Sequence, residues 1–193
     1  MVEPAWTPKR GRPAVLSREA IVDAALAEGL DTLTMTALAR RLGVVKSSLY
    51  RWVAGREEVL GLVGDVVVER VLPVEPGATD WRDWFADLAS RMRREFLAVP
   101  GYAARIAAPH AHHSDAHERL LATVRTRLEE GGLAPREAED TRRIVLTAVV
   151  GWVAAESHWT GHGDAVEPRA DSDELFDRFV RSLLRAMPAD PAA

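Results

Sequence analysis

TMTALARRLGVVKSSLYRWVAGR, residues 34–56, holds the densest set of structural signals in the chain. Thr34 is a good helix N-cap, because its hydroxyl accepts from one of the N–H groups that a first turn leaves unpaired. Behind it Met35, Leu38, Ala39 and Leu42 recur at the three-and-four spacing of a buried helix face. Gly43 stands where a helix closes on a left-handed residue, a conformation glycine reaches without a Cβ clash. A second short helix follows, with Val44, Leu49 and Val53 inward and Lys46, Ser47, Tyr50 and Arg51 outward. Two short helices joined by a glycine turn, the second polar and basic outside, make the pattern of a helix-turn-helix.

Upstream, Ser17 caps a helix that runs to about Gly29, with Ile21, Ala24, Ala25 and Leu26 as its core side. Leu30 and Leu33 flank the turn Asp31-Thr32 and seal this helix against the next. Residues 1–14 read as a flexible basic arm, in which Gly11 and Pro13 prevent a helix. Arg10 and Arg12 suit a minor groove, where negative potential attracts arginine, and equally a solvated tail without a partner. Downstream, Gly55 and Arg56 open a fourth helix with Glu57 and Glu58 in the turn where carboxylates favour the dipole. Its valines and leucines cover more than one side, so it is expected to touch both halves of the protein. PVEPGAT (73–79) then breaks the pattern.

In the remaining sequence the regular elements all read as helices, with GHGDAVEPRAD (161–171) as a loop. Asp80 caps a long helix, Pro100-Gly101 ends it, and Tyr102 starts a short one that stops before Pro109. Leu120, Leu121, Val124 and Leu128 mark a further helix. Pro135 opens the next, which is apolar nearly all round from Ile144 to Ala155 and therefore buried on all sides. Ser172 caps the last. The fold class expected is all-α: a three-helix DNA-binding domain (15–62) and a larger helical ligand-binding and dimerisation domain (63–193).

The 193 residues carry a net charge of −4, unpromising for a nucleic-acid binder, but its distribution differs. Residues 1–56 hold nine Lys and Arg against five Asp and Glu, and the rest hold 16 against 24. A basic end at +4 on an acidic body at −8 points to one end meeting a polyanion. The absence of cysteine excludes disulfides and thiol chemistry and suits a reducing cytoplasm. No apolar h-region and no span of about 18 apolar residues is present, so neither a signal peptide nor a membrane helix is expected.

Over LTMTALARRLGVVKSSLYRWVAGREEVL (33–60) the sequence resembles the TetR family of bacterial transcriptional repressors. The LGV turn, the Leu49-Tyr50 pair, Trp52 and the G-R-E-E helix start carry the likeness, which is specific over about residues 15–62. A weaker likeness to the tetracycline-repressor type of C-terminal domain rests on W-x-x-W-F near Trp81, Val99-Pro100 and Gly151. The resemblance implies that Lys46, Ser47, Ser48, Tyr50, Arg51 and Trp52 lie on a recognition helix, with Thr34 and Thr36 on the helix before it. Tyr50 and Arg56 would meet phosphates, while Lys46, Ser47 and Arg51 would read bases, where arginine or lysine can engage guanine. Two readings stand for Trp52, DNA contact or core anchor, and two for Ser48, DNA contact or packing on the first helix. Val45 takes the usual capping position but is a poor cap, which would delay the helix start to Ser47.

An apolar pocket for a bulky effector is expected in the C-terminal part. Its candidates are Trp84, Phe85, Leu88, Met92 and Phe96 on the long helix, then Tyr102, Arg105 and His110, then Trp152, Glu156 and Trp159, each of which also reads as ordinary core packing. A gap-free match puts Ala108 and Ala155 where tetracycline repressors hold the drug's magnesium, so tetracycline is not implied. A metal-dependent hydrolase built on His110, His112, His113, His117 and Glu156 is the rival, but it lacks H-E-x-x-H and leaves the basic end unused. A third reading is a DNA-binding protein without a ligand. The function expected is therefore a cytoplasmic repressor, with no cofactor, metal site or catalytic residue. It would bind a palindromic DNA operator as a homodimer through helices 136–159 and 173–187, and a small apolar effector would release it.

Overall fold

The computed structural model describes residues 16–72, 80–107, 114–161 and 171–188, the last four residues of the third span by backbone alone. Every regular element among them is a helix. The basic arm with Arg10 and Arg12, the PVEPGAT segment, and His110, His112 and His113 lie outside the described residues. No helix among the described residues is long and apolar enough to cross a membrane.

Helices α1 (Arg18–Glu28), α2 (Met35–Leu42) and α3 (Lys46–Leu49) form the N-terminal layer. The caps fall where side-chain chemistry places them. Ser17 Oγ accepts from the Ala20 N–H at 3.1 Å, and Thr34 Oγ1 accepts from the Ala37 N–H at 3.0 Å. Gly43 closes α2 at φ 66°. Ile21, Ala25, Leu30, Leu33, Leu38, Leu49 and Val53 are buried together, each large one contributing about 1.5–3 kcal/mol against exposure. On α1 the buried face also takes Val22, while Leu26 is only partly covered, because α1 is packed by both α2 and α4.

Helix α4 (Arg56–Val71) packs against α1, α5 and α7, which joins the two halves as its apolar breadth predicts. Glu58 turns back to accept from the Ala54 N–H at 2.6 Å, satisfying a donor just before the helix. The larger layer holds α5 (Trp81–Leu97), α6 (Tyr102–Ala107), α7 (Asp115–Glu130), α8 (Pro135–Gly161) and α9 (Ser172–Arg185). Asp80 caps α5 through the Arg82 N–H, and Ser114 caps α7 by accepting from the His117 N–H. Helix α8 packs against α5, α6, α7 and α9.

Two expectations about helix starts fail. Helix α3 begins at Lys46, directly after Val45, with no side-chain cap; its first turn does not wait for Ser47. Helix α9 is preceded by Asp171, and Ser172 does not cap it. The Ser172 hydroxyl instead donates to Glu156 Oε1 at 2.7 Å and accepts from Arg93 Nη2 at 3.1 Å, so its oxygen serves a charged donor from α5.

The two layers are also tied through a loop. The Leu30 N–H donates to the Pro100 carbonyl at 2.8 Å. Gly101 follows at φ 80°, and a Cβ there would come within 2.8 Å of the Asp31 nitrogen. The α1–α2 loop therefore seats on the α5–α6 turn at a place where only glycine fits.

Candidate functional site

On the N-terminal layer the outward residues form one polar, basic surface. Thr34, Thr36, Lys46, Ser47, Tyr50, Arg51 and Trp52 are all exposed. Lys46 Nζ lies 6.0 Å from the Tyr50 ring centroid, and Arg51 Nη2 donates to Ser48 Oγ at 3.3 Å. Ser48 is half-buried, between its two readings. Trp52 is 39% exposed, which removes its core-anchor reading; Leu49 and Val53 anchor the segment instead.

Arg56 differs from the other candidates. Its Nε donates to the Leu33 carbonyl at 2.9 Å and its Nη2 to the Leu30 carbonyl at 3.2 Å, while Nη1 meets Glu57. The guanidinium thus holds the loop between α1 and α2 in the free chain. Loop carbonyls need donors that no helix supplies, and Arg56 sits directly beside them.

Beneath this layer lies a cavity of about 160 Å³. Leu60, Gly61, Gly64 and Val68 of α4 form one wall, and Met92, Phe96, Tyr102, Arg105 and Ile106 another. Ser114, His117, Leu120 and Leu121 close it from α7, and Leu146 and Val150 from α8. The Tyr102 and Phe96 rings lie 5.0 Å apart, tilted by 56°, and burial with the nearby Asp65 charge pushes the phenol well above its ordinary range. Arg105 Nη2 donates to Glu57 Oε2 at 2.7 Å, so one cavity residue holds the start of α4.

Of the predicted ligand candidates, Met92, Phe96, Tyr102 and Arg105 meet at this cavity. Trp84, Phe85 and Leu88 do not; they are buried in the core, a turn or more along α5 from the lining residues Met92 and Phe96. Trp152 stacks on Phe179 at 4.6 Å between α8 and α9. Glu156 takes a bidentate pair from Arg93 at 2.7 and 2.6 Å, and Arg93 also reaches Asp173 at 2.6 Å. Burial alone would raise the Glu156 carboxyl, but the bonds from Arg93 and Ser172 outweigh it and hold it below the usual carboxylate range. Glu156 is thus a structural tie of α5, α8 and α9. His110 and the Trp159 side chain lie outside the described part.

The cavity wall on α4 escaped sequence reading because Leu60 and Val68 look like ordinary core positions. The signal available was Gly61 and Gly64, two glycines inside a helix, which leave room on one face. Among the described residues no group of three His, Asp or Glu could hold a metal.

No family model matches the chain. It is 43% identical over 198 aligned positions to an uncharacterised HTH-type transcriptional regulator of Mycobacterium tuberculosis, covering 91% of this chain and 84% of that protein. It is 32% identical over 183 to an HTH-type transcriptional regulator of Saccharopolyspora erythraea, covering 91% and 77%. Among solved structures it superposes on the TetR family protein ActR of Streptomyces coelicolor in complex with actinorhodin. That match has 27% identity and a TM-score of 0.78 and covers 93% of this chain and all of the other. The chain belongs to the TetR family of transcriptional regulators. A TetR-family regulator is not an enzyme, and the hydrolase reading falls with that. The family fold accounts for both features described above, an exposed helix-turn-helix and a cavity in the helical body.

Proposed function

We propose that this TetR-family chain is a homodimeric repressor that binds a palindromic operator and is released when a small, largely apolar effector enters the cavity. Residues 15–62 serve as the DNA-binding unit and 63–193 as the unit for effector and dimer. One observation carries the reading: α4 leaves the recognition segment at Gly55 and, within about three turns, presents Leu60, Gly61 and Gly64 to the cavity. A group entering there pushes on the helix that positions Lys46, Ser47 and Arg51. The effector releases DNA only to the extent that it binds one arrangement of α4 better than the other.

The volume of about 160 Å³ is close to that of engineered apolar cavities that take one aromatic ring. That ActR is solved in complex with actinorhodin supports a small-molecule ligand. The dimer face is the surface of α8 and α9 left uncovered in one chain. Ile144 is 47% exposed, Gly151 is exposed, and Leu175, Phe179 and Leu183 are half-buried. A two-fold pairing of this face would cover them.

Selection of bound duplexes from random DNA tests the core of the proposal. Enrichment of two inverted half-sites, centred about one helical turn or slightly more apart, is expected. Enrichment of a lone, asymmetric site would exclude the dimeric operator complex. An apolar compound library scored for loss of operator binding tests the effector.

A further inference from the structure

Among the described residues the large hydrophobic side chains left exposed are Val45, Tyr50, Trp52 and Ile144. Three of the four fall within eight residues of the recognition segment, and Ile144 belongs to the proposed dimer face. Val45 is the most exposed, at 68%, and packing does not explain it. Its backbone is extended, at φ −75° and ψ 144°, at the place where a Ser, Thr, Asn or Asp oxygen would cap α3. Valine therefore gives up a cap and also leaves an isopropyl group in water.

Both losses are offset if an apolar surface covers Val45 in the bound state. Exposed Lys46 and Ser47 follow it directly, and Lys46 lies near the exposed Tyr50. A cationic surround suits the polyanionic duplex. In the major groove the apolar group on offer is the thymine C5-methyl. We propose that Val45 reads a thymine in each operator half-site by packing on that methyl, a specificity contact separate from the hydrogen bonds of Lys46, Ser47 and Arg51. The inference rests on the operator-binding reading above.

Deoxyuridine removes only the methyl and leaves pairing unchanged. Once random-sequence selection has returned the half-site, each thymine is replaced by deoxyuridine in turn and the affinity measured. One replacement should weaken the wild type by about fourfold per half-site, the worth of one buried methyl. Val45→Ser and Val45→Ala should lose that sensitivity and bind the uridine operator as the wild type does. Melting temperatures of both variants check folding, and Val45→Ser, which gains a capping oxygen, should melt no lower than the wild type. Wild-type indifference to deoxyuridine at every position overturns the proposal. So does sensitivity that survives in both Val45 variants and disappears in Tyr50→Ala, which would assign the methyl to Tyr50. Failure to enrich any sequence would remove the operator reading and this contact with it. Enrichment without a Val45-dependent methyl effect removes this contact alone.

Discussion

Arg56 and Arg51 lie five residues apart, yet only Arg56 is held by backbone carbonyls. Truncating Arg56 leaves the Leu30 and Leu33 carbonyls without their donor, where hydrogen bonds to charged groups contribute about 1.5–3 kcal/mol. Arg56→Ala should therefore lower stability by about 2 kcal/mol in a thermal or urea melt. Its folded fraction should select the same base sequence as the wild type; a uniform loss of DNA affinity without destabilisation would support the phosphate role. Glu156 makes a second prediction, with a pH sign. Its carboxyl is held below the usual range in the fold, so its contribution is present above the unfolded value of about 4.3 and is lost as pH falls through the folded value. Glu156→Gln should cost about 3 kcal/mol near pH 7, because Arg93 loses its buried partner. The gap between variant and wild type should shrink as pH falls towards 3, which urea melts at the two pH values will show. A gap that does not change with pH would mean that the carboxylate charge is not what Arg93 needs.

At the scale of elements, the seat of the α1–α2 loop on the α5–α6 turn couples recognition layer and cavity layer independently of α4. Gly101 has no room for a Cβ and holds a φ that costs other residues about 1–2 kcal/mol. Gly101→Ala should unseat the loop, lower the melting temperature, and speed exchange of the Leu30 amide, whose acceptor is Pro100. Undiminished protection of that amide would show that the loop holds without the turn. Helix caps behave more simply. Ser17, Thr34 and Asp80 cap as their residue types require, since a cap depends on a few neighbouring residues. Ser172 departs from that rule because Arg93 and Glu156, both distant in sequence, engage its hydroxyl as donor and acceptor.

For the whole molecule, the proposed dimer requires that the uncovered faces of α8 and α9 meet a second copy. Ile144→Glu should leave the single-chain fold intact, since the side chain is 47% exposed there. It should shift the protein towards monomer in light scattering at micromolar concentration and abolish tight operator binding. A dimer unaffected by this change would move the interface elsewhere. Periodicity and local chemistry in the sequence were enough to determine the helices, the caps at Ser17, Thr34 and Asp80, the helix-turn-helix and its outward residues. These depend on neighbours within a turn or two of the chain. Tertiary structure alone decided the rest: Trp84, Phe85 and Leu88 as core, Met92, Phe96, Tyr102 and Arg105 as cavity wall, and Arg56 and Glu156 as structural ties. An apolar side chain on a helix reads the same whether it faces packed core or empty space. A charged one reads the same whether its partner is solvent, a carbonyl or a carboxylate 63 residues away. Only the relative placement of helices settles which, and the physical reason is that burial and pairing are properties of neighbours in space.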